Sequence, residues 1–231
     1  MGTALVVENA PTWHLGRLEE WLTAADLKPS VVRPHRDEAI PLTADGHEAL
    51  VALGGGRGAA WEPQLTNLLE SAIADGVATL AFCSSARALA KRRGGRVAAV
   101  ESFNPGPRLL AKRDAAGDDP LFGPAPMAID VVAWRHEELT DLPPEAVLLA
   151  ASPHGAPDVF RVGERFWGVQ SHVEFDADMV TGLDGSPQLA DRVAAVGEHL
   201  RETWRPIVER LGRVAHGKRG GAPLPLLDQP R

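Results

Sequence analysis

Short apolar runs alternate with amphipathic segments along the first part of the chain. Apolar residues at helical spacing predict helices over 15–25, 63–74 and 84–93. Between them, unbroken apolar runs predict buried strands at 4–7, 30–32, 49–53 and 77–82. This β-α-β-β-α-β-α order is typical of an α/β fold, in which a doubly wound, mostly parallel sheet carries helices on both faces.

The second half has a less regular pattern. Residues 101–126 are rich in glycine, proline and aspartate, which predicts loops with at most a short strand. Later strands are predicted at 129–134, 147–151, 159–162 and 166–170, the last two forming a hairpin. A long amphipathic helix is predicted over 189–211. We expect a single domain over 1–214 and a disordered tail over 215–231, where glycine, proline and basic residues accumulate.

Composition narrows the function classes. The 231 residues include 24 Lys and Arg against 31 Asp and Glu, a formal net charge of −7, which argues against a general nucleic-acid partner. The apolar runs are far shorter than the roughly 20 residues of a membrane span, and no signal peptide is evident. We therefore expect a cytoplasmic protein without a membrane partner. The single cysteine excludes an internal disulfide, and the scattered histidines predict no metal site or cofactor.

The single cysteine, Cys83, stands between a predicted strand and a predicted helix. The residues two before and two after it, Ala81 and Ser85, are small, as a sharp strand-to-helix turn requires. A helix N-terminus would lower the pKa of the thiol, and the N–H of Ser84 could donate to a developing oxyanion. A buried structural cysteine at a strand end explains the same residues equally simply.

Two further patterns could complete a thiol-based site. In an extended segment His172 and Glu174 share a face, so the carboxylate could orient the imidazole as a general base. The glycine loop 54–56 follows a predicted strand and could supply a second oxyanion N–H. A surface His–Glu pair and a flexible loop are the alternatives. In a doubly wound sheet, the strand ends would bring these residues and Cys83 to one crevice.

With these residues, the sequence resembles the class I glutamine amidotransferase domain over about residues 4–179, especially free-standing relatives of the amidotransferase part of GMP synthase. Leu53-Gly54-Gly55 is similar to the family's Gly-Gly-Pro oxyanion loop, and Cys83 takes the place of the cysteine in its Gly-x-Cys-x-Gly-x-Gln elbow. The stretch Trp167-Gly168-Val169-Gln170-Ser171-His172-Val173-Glu174 resembles the family's Gly-x-Gln-Phe-His-Pro-Glu segment. Residues 141–152 and 160–163 also resemble the family.

The resemblance implies a flavodoxin-like fold and a Cys-His-Glu triad. Cys83 would attack a carboxamide carbon, His172 would transfer the thiol proton to the leaving amine, and Glu174 would orient His172. The oxyanion donors would be Gly55 and Ser84. Substrate-binding positions would be Gly54, Gly56, Arg87, Gln170 and Ser171. The substrate would be glutamine or a related γ-glutamyl amide, and any ammonia would pass to a separate synthase partner.

Around the substrate the sequence departs from the family pattern. Ala81 and Ser85 replace the two elbow glycines, and Gly56 replaces the proline. We expect the Ser85 side chain to intrude where glycine leaves space. Arg87 replaces the glutamine, either as an exposed helix residue, which we favour, or as a ligand for a carboxylate. Changed surroundings of an intact triad indicate a changed substrate.

Two other functions stay open from the residues alone. A catalytically silent relative could serve as a binding or regulatory subunit, in keeping with the altered elbow. A thiol enzyme of another class on a similar fold, such as a glyoxalase or a peptidase, would use the same cysteine. The placement of His172 and Glu174 late in the chain favours amide hydrolysis over this thiol enzyme of another class.

Overall fold

A computed structural model describes residues 1–184 and 186–217. The first half consists of β1 (Gly2–Val7), α1 (Leu18–Ala24), β2 (Leu27–Val32), β3 (Ala49–Ala52), α2 (Glu62–Ala74), β4 (Ala78–Phe82) and α3 (Cys83–Arg92). The second half consists of β5 (Arg96–Ala99), β6 (Gly106–Lys112), β7 (Ala128–Ala133), β8 (Glu137–Asp141), β9 (Val147–Ala151), β10 (Pro157–Val162), β11 (Phe166–Val169), α4 (Ala177–Asp184), α5 (Pro187–Ala195) and α6 (Gly197–His216). Short 3-10 helices lie at Pro34–Arg36 and Asp114–Ala116.

A nine-stranded sheet has the order β2-β1-β3-β4-β11-β10-β9-β6-β7. The pairs from β2 to β11 are parallel, and those from β11 to β7 are antiparallel. The predicted hairpin is confirmed, because β10 and β11 pair in antiparallel fashion across the turn at Gly163. A separate two-stranded sheet joins β5 to β8. The α/β architecture expected from the sequence is therefore present, with an antiparallel extension.

An apolar core lies on each face of the large sheet. On one face α1 and α6 bury residues such as Trp21 and Trp204 against the strands. On the other face α2 and α3 bury Leu68 and Leu89. β3 and β4 are buried along their whole length, which explains why they appear in the sequence as continuous apolar runs.

The register of the parallel strands brings the candidate site together. Ala52 of β3 lies opposite Ala81 of β4, which lies opposite Gly168 of β11. The segments that follow these three strands therefore leave the sheet side by side at its carboxyl edge. They are the 53–56 loop, Cys83 and the 170–174 segment.

The structure differs from the sequence prediction in several elements, among them β5 and β8, which the sequence did not predict. The 101–126 stretch contains β6, a seven-residue strand. The prediction of a single helix over 189–211 is wrong, because α5 ends at Ala195 and α6 begins at Gly197. Arg17 packs against this break: its Nη1 donates to the Gly197 carbonyl at 3.0 Å, and a Cβ at Gly197 would lie 2.9 Å from that nitrogen.

The end of the predicted domain also differs. α6 continues to His216, so residues 215 and 216 are helical rather than part of a tail. The rest of the predicted tail, from 218 onward, lies outside the described residues. Within the described ranges, no helix is both long and apolar enough to cross a membrane.

Candidate active site

Cys83 lies at the turn from β4 into α3, and its backbone φ is +51°. A positive φ is uncommon for a residue with a side chain and costs on the order of 1 kcal/mol. The preceding residue, Phe82, is still extended, so the chain changes from strand to helix at Cys83 itself. This is the geometry of a nucleophile elbow, in which the turn projects the side chain from the edge of the sheet.

His172 and Glu174 form a buried pair. The imidazole Nδ1 lies 2.7 Å from Oε1 of Glu174, and the second carboxylate oxygen accepts a hydrogen bond from the Val173 amide at 2.8 Å. Because the carboxylate is held from both sides, it fixes the orientation of the ring and places a proton on Nδ1. The other ring nitrogen, Nε2, is then directed away from Glu174.

The reactive atoms of Cys83 and His172 converge on one backbone carbonyl. The Trp134 oxygen accepts a long hydrogen bond from Sγ of Cys83 at 3.8 Å and lies 3.3 Å from Nε2 of His172. Trp134 follows β7, and Val132 of that strand exchanges two backbone hydrogen bonds of 2.8 Å with His172. These bonds tie the imidazole to the sheet beside the nucleophile.

The charges in the site favour a thiolate. Burial raises the pKa of the Cys83 thiol, but His172 and Arg87 outweigh it and lower that pKa to about 7. Burial lowers the pKa of the His172 imidazole, whereas Cys83 and Glu174 raise it to about 10. The two groups titrate as a coupled pair, and the thiolate–imidazolium form is favoured above neutral pH.

Aromatic rings enclose the imidazole. Phe175 stacks on His172 with a centroid distance of 4.1 Å, and Trp13 meets it edge-on at 5.0 Å. Trp13 also covers Gly54, where a Cβ would lie 2.7 Å from the indole ring and 2.9 Å from Cβ of Cys83. As a result, His172 is completely buried and Cys83 is only 1% exposed.

The glycine loop after β3 lies beside the elbow. Gly55 and Gly56 have φ angles of +87° and +67°, a backbone region that favours glycine. The Ser84 hydroxyl donates to the Gly55 carbonyl at 2.7 Å and so holds the loop against α3. Among the described residues, neither the Gly55 nor the Ser84 amide N–H has a hydrogen-bond acceptor. Both N–H groups are therefore free to bind an oxyanion.

Ser85 does not intrude into the site as the sequence led us to expect. Its hydroxyl donates to the Leu53 carbonyl at 2.6 Å and accepts a hydrogen bond from Asn9 Nδ2 at 3.2 Å. Asn9 also donates to the Leu53 carbonyl at 2.8 Å. The serine that replaces glycine therefore fastens α3 to the ends of β1 and β3.

Gln170 and Ser171 are also bound within the protein. The Gln170 side chain accepts from the Leu139 amide at 2.8 Å and donates to the Pro157 carbonyl. The Ser171 hydroxyl donates to Asp158 at 2.8 Å. Both residues are fully buried, so the geometry gives them a structural role in place of the substrate contacts that the sequence indicated.

Arg87 is not the exposed helix residue that we favoured from the sequence. Its side chain is only 7% exposed, and its Nη2 lies 3.6 Å from Sγ of Cys83. The other terminal nitrogen, Nη1, is buried and lacks a hydrogen-bond partner among the described residues. Arg87 lies four residues after Cys83 in α3, about one helical turn away. The two side chains are therefore on the same face of the helix, which explains their contact.

Several residues around the site escaped the sequence analysis. Trp13 lies in a loop and packs against His172 and Gly54, and the Trp134 carbonyl is a backbone group that no motif marks. The buried Asp158 is bound by Arg135 at 3.0 Å, and together they hold Ser171. A polar residue inside the apolar pattern of β10 is the one signal that could have singled out Asp158.

No cluster of His, Cys, Asp and Glu in residues 1–184 and 186–217 is arranged to hold a metal ion.

Curated relatives share parts of this sequence, although no protein-family model matches it. The chain is 29% identical to a GMP synthase [glutamine-hydrolyzing] of Thermomicrobium roseum over 54% of its length, which is 23% of that protein. It is 26% identical to an aminodeoxychorismate synthase of Streptomyces griseus over 94% of its length and 28% of that protein. It is 25% identical to gamma-glutamyl peptidase 4 of Arabidopsis thaliana over 54% of its length and 48% of that protein. The chain thus spans from about a quarter to a half of these relatives.

Solved structures have the same fold over nearly the whole chain. A glutamine amidotransferase from Methylobacillus flagellatus is 18% identical, with a TM-score of 0.80 over 96% of this chain and 98% of its own. A glutamine amidotransferase from Thermotoga maritima is 20% identical, with a TM-score of 0.77 over 91% of this chain and 98% of its own. The chain therefore has the fold of these glutamine amidotransferases, and its sequence similarity to the synthases supports a class I glutamine amidotransferase-like family.

Proposed function

We propose that this protein is a thiol-dependent amide hydrolase that cleaves the side-chain amide of glutamine or of a related γ-glutamyl compound. The observation that carries the proposal is the buried arrangement of Cys83, His172 and Glu174 beside two unpaired backbone N–H groups. A nucleophile, a base with its orienting carboxylate and an oxyanion-binding loop are the parts that acyl transfer requires.

The proposed reaction begins with the thiolate of Cys83. Sγ attacks the amide carbon, and the carbonyl oxygen becomes an oxyanion that accepts hydrogen bonds from the amides of Gly55 and Ser84. The imidazolium of His172 gives its Nε2 proton to the leaving nitrogen, so ammonia or an amine departs and a thioester stays on Cys83. Neutral His172 then takes a proton from water, which attacks the thioester and releases the carboxylic acid.

The similarity to synthases supports a partner protein for this hydrolase. A relative is named as a glutamine-hydrolyzing GMP synthase, and this chain matches 23% of it. We propose that ammonia released here is passed to a separate synthase. The similarity to a gamma-glutamyl peptidase supports a second version, in which the leaving group is a substituted amine and no ammonia is transferred.

Glutamate release from glutamine and from a panel of N-substituted γ-glutamyl amides tests the proposal. We expect turnover that Cys83→Ala abolishes. Turnover of glutamine would support the ammonia-supplying version, and turnover of substituted amides alone would support the peptidase-like version. Activity that survives Cys83→Ala would refute the mechanism.

A silent relative would be distinguished by thiol chemistry. If no amide is hydrolysed, the rate of Cys83 alkylation at pH 6 decides between two outcomes. A rate far above that of a free thiol indicates an intact site that needs its partner, whereas an ordinary rate indicates a catalytically silent protein.

A further inference from the structure

A cavity of about 440 Å³ lies beside the start of α3 and is lined by the neighbours of Cys83 rather than by Cys83 itself. Ser84 and Arg87 line its inner side, and these residues also supply the candidate oxyanion N–H and the guanidinium beside Sγ. Three other charged side chains line it near α3 and the 57–62 segment: Arg57, Glu62 and Glu137. Lys91 lies on its α3 side. A group bound in this cavity would therefore lie next to an amide held over Cys83.

The carboxylates of the cavity are already engaged within the protein. Glu62 accepts a hydrogen bond from the Gly58 amide at 2.5 Å, and Glu137 forms an ion pair with Arg57 at 2.7 Å. By contrast, Arg87 and Lys91 have no carboxylate partner in the described part of the chain. They are four residues apart on α3 and lie on one face of it. The α3 wall of the cavity thus carries two cations without a carboxylate partner in the described residues: Lys91, and Arg87, which contacts the sulfur of Cys83.

Arg87 supplies the more specific signal. Its side chain is more than nine-tenths buried, and Nη2 is committed to the sulfur of Cys83. Nη1 of this cavity-lining residue is buried and has no acceptor in the described residues. A buried cationic N–H without an acceptor is costly, and a carboxylate is the acceptor that matches a guanidinium best.

We propose that Arg87 and Lys91 bind a carboxylate on the acyl part of the substrate, so that the site selects amides whose acyl group carries a free carboxylate. This proposal rests on the amide hydrolase function proposed above and names its substrate class. Because Arg87 and Lys91 recognise the carboxylate alone, binding does not require an α-ammonium group. The site therefore accepts glutaryl amides as well as γ-glutamyl amides.

Three p-nitroanilides test the selection directly. The γ-glutamyl compound carries a carboxylate and an ammonium, the glutaryl compound carries the carboxylate alone, and the pentanoyl compound carries neither. We expect kcat/KM for the first two to be similar, and about 10- to 100-fold above that for the pentanoyl compound. Equal kcat/KM for all three, or turnover of the γ-glutamyl compound alone, would overturn the proposal.

Variants separate carboxylate binding from an effect on the thiol. Lys91→Ala should lower kcat/KM for the two carboxylate substrates more than for the pentanoyl compound, without shifting the pH profile of Cys83 alkylation. Arg87→Gln should lower the carboxylate rates about 10- to 100-fold more than the pentanoyl rate. Arg92→Ala, an exposed cation on the same helix, is the matched control. If Arg87→Gln lowers kcat/KM equally for all three substrates, Arg87 stabilises the thiolate and does not bind the carboxylate.

A binding experiment keeps the proposal testable without turnover. Glutarate should protect Cys83 from alkylation by iodoacetamide, and the neutral glutaramide should protect it at least about 10-fold less well at equal concentration. Lys91→Ala should weaken protection by glutarate. If no anilide is hydrolysed but glutarate protects selectively, the hydrolase function fails and the carboxylate site stands. Equal protection by both compounds would refute the site.

Discussion

The Nδ1 atom of His172 lies 2.7 Å from Oε1 of Glu174, and neither side chain is exposed to solvent. Such a buried contact decides the charge of the imidazole as well as its orientation, since the carboxylate is a nearby counter-charge. The imidazolium in turn stabilises the thiolate of Cys83. The reactivity of the nucleophile therefore depends on a carboxylate that does not contact it.

Glu174→Gln should remove the counter-charge that stabilises the His172 imidazolium and, through it, the Cys83 thiolate. The neutral amide cannot hold the imidazolium, so the pKa of His172 should fall and that of Cys83 should rise. We expect kcat for amide hydrolysis to fall by about 10²- to 10⁴-fold. Steady-state kinetics and the pH profile of Cys83 alkylation measure both effects. Glu164→Gln, at an exposed position, is the control and should change neither.

The ionisation of Cys83 should affect two measurable quantities, the rate of its alkylation and the free energy of unfolding. Alkylation by iodoacetamide should follow a pKa of about 7, below the about 8.5 of a free thiol. The lowered pKa of Cys83 contributes stability that is lost as pH falls through about 7. The raised pKa of His172 contributes stability that is lost as pH rises through about 10.

At pH values between these two transitions, the contributions of Cys83 and His172 to the free energy of unfolding offset each other. Folded and unfolded chains each hold about one proton on the pair from about pH 7 to about pH 8.5, so its contribution to the free energy of unfolding should change little there. Urea unfolding over this range in wild type and Cys83→Ala measures it. A reactivity profile with a pKa at or above that of a free thiol would contradict the ion pair.

Gly54→Ala should disrupt the elbow. The added Cβ would lie 2.9 Å from Cβ of Cys83 and 2.7 Å from the Trp13 ring, so the loop, the indole or the nucleophile must move. We expect a loss of about 1–3 kcal/mol of unfolding free energy and of most activity. Gly182→Ala, within α4 and with nothing inside 4 Å, is the matched control and should be neutral or slightly stabilising. Wild-type stability and activity in Gly54→Ala would show that the site is looser than described.

Trp13→Ala should open the site. The indole lies against His172 and Gly54, which adjoin the 1% exposed Cys83, so its removal should speed the alkylation of Cys83. The variant should also lose about 2 kcal/mol of stability, because much of the indole is buried. Trp13→Phe retains an aromatic cover and should stay closer to wild type. An unchanged alkylation rate in Trp13→Ala would mean that reagents reach Cys83 by another route.

Local sequence signals predicted the elements that carry the site. The fully apolar runs of β3 and β4 indicated buried parallel strands, and the small residues Ala81 and Ser85 indicated a tight turn at Cys83. The two-residue spacing of His172 and Glu174 predicted their contact. These features depend on neighbours in the chain, so they can be seen without the fold. By contrast, β5 and β8 were missed because each is stabilised by a partner distant in sequence.

The sequence by itself determined an α/β fold and a cysteine, a histidine and a glutamate at the ends of its strands. Tertiary structure decided what surrounds them. It buried Arg87 against the sulfur of Cys83, and it gave the Ser85 hydroxyl a hydrogen-bond acceptor in the Leu53 carbonyl. It also placed Trp13 against Gly54 and His172, the neighbours of Cys83. The reason is physical: burial, pairing and charge at a site depend on groups that meet only when distant segments pack together, and neither periodicity nor motif spacing contains that information.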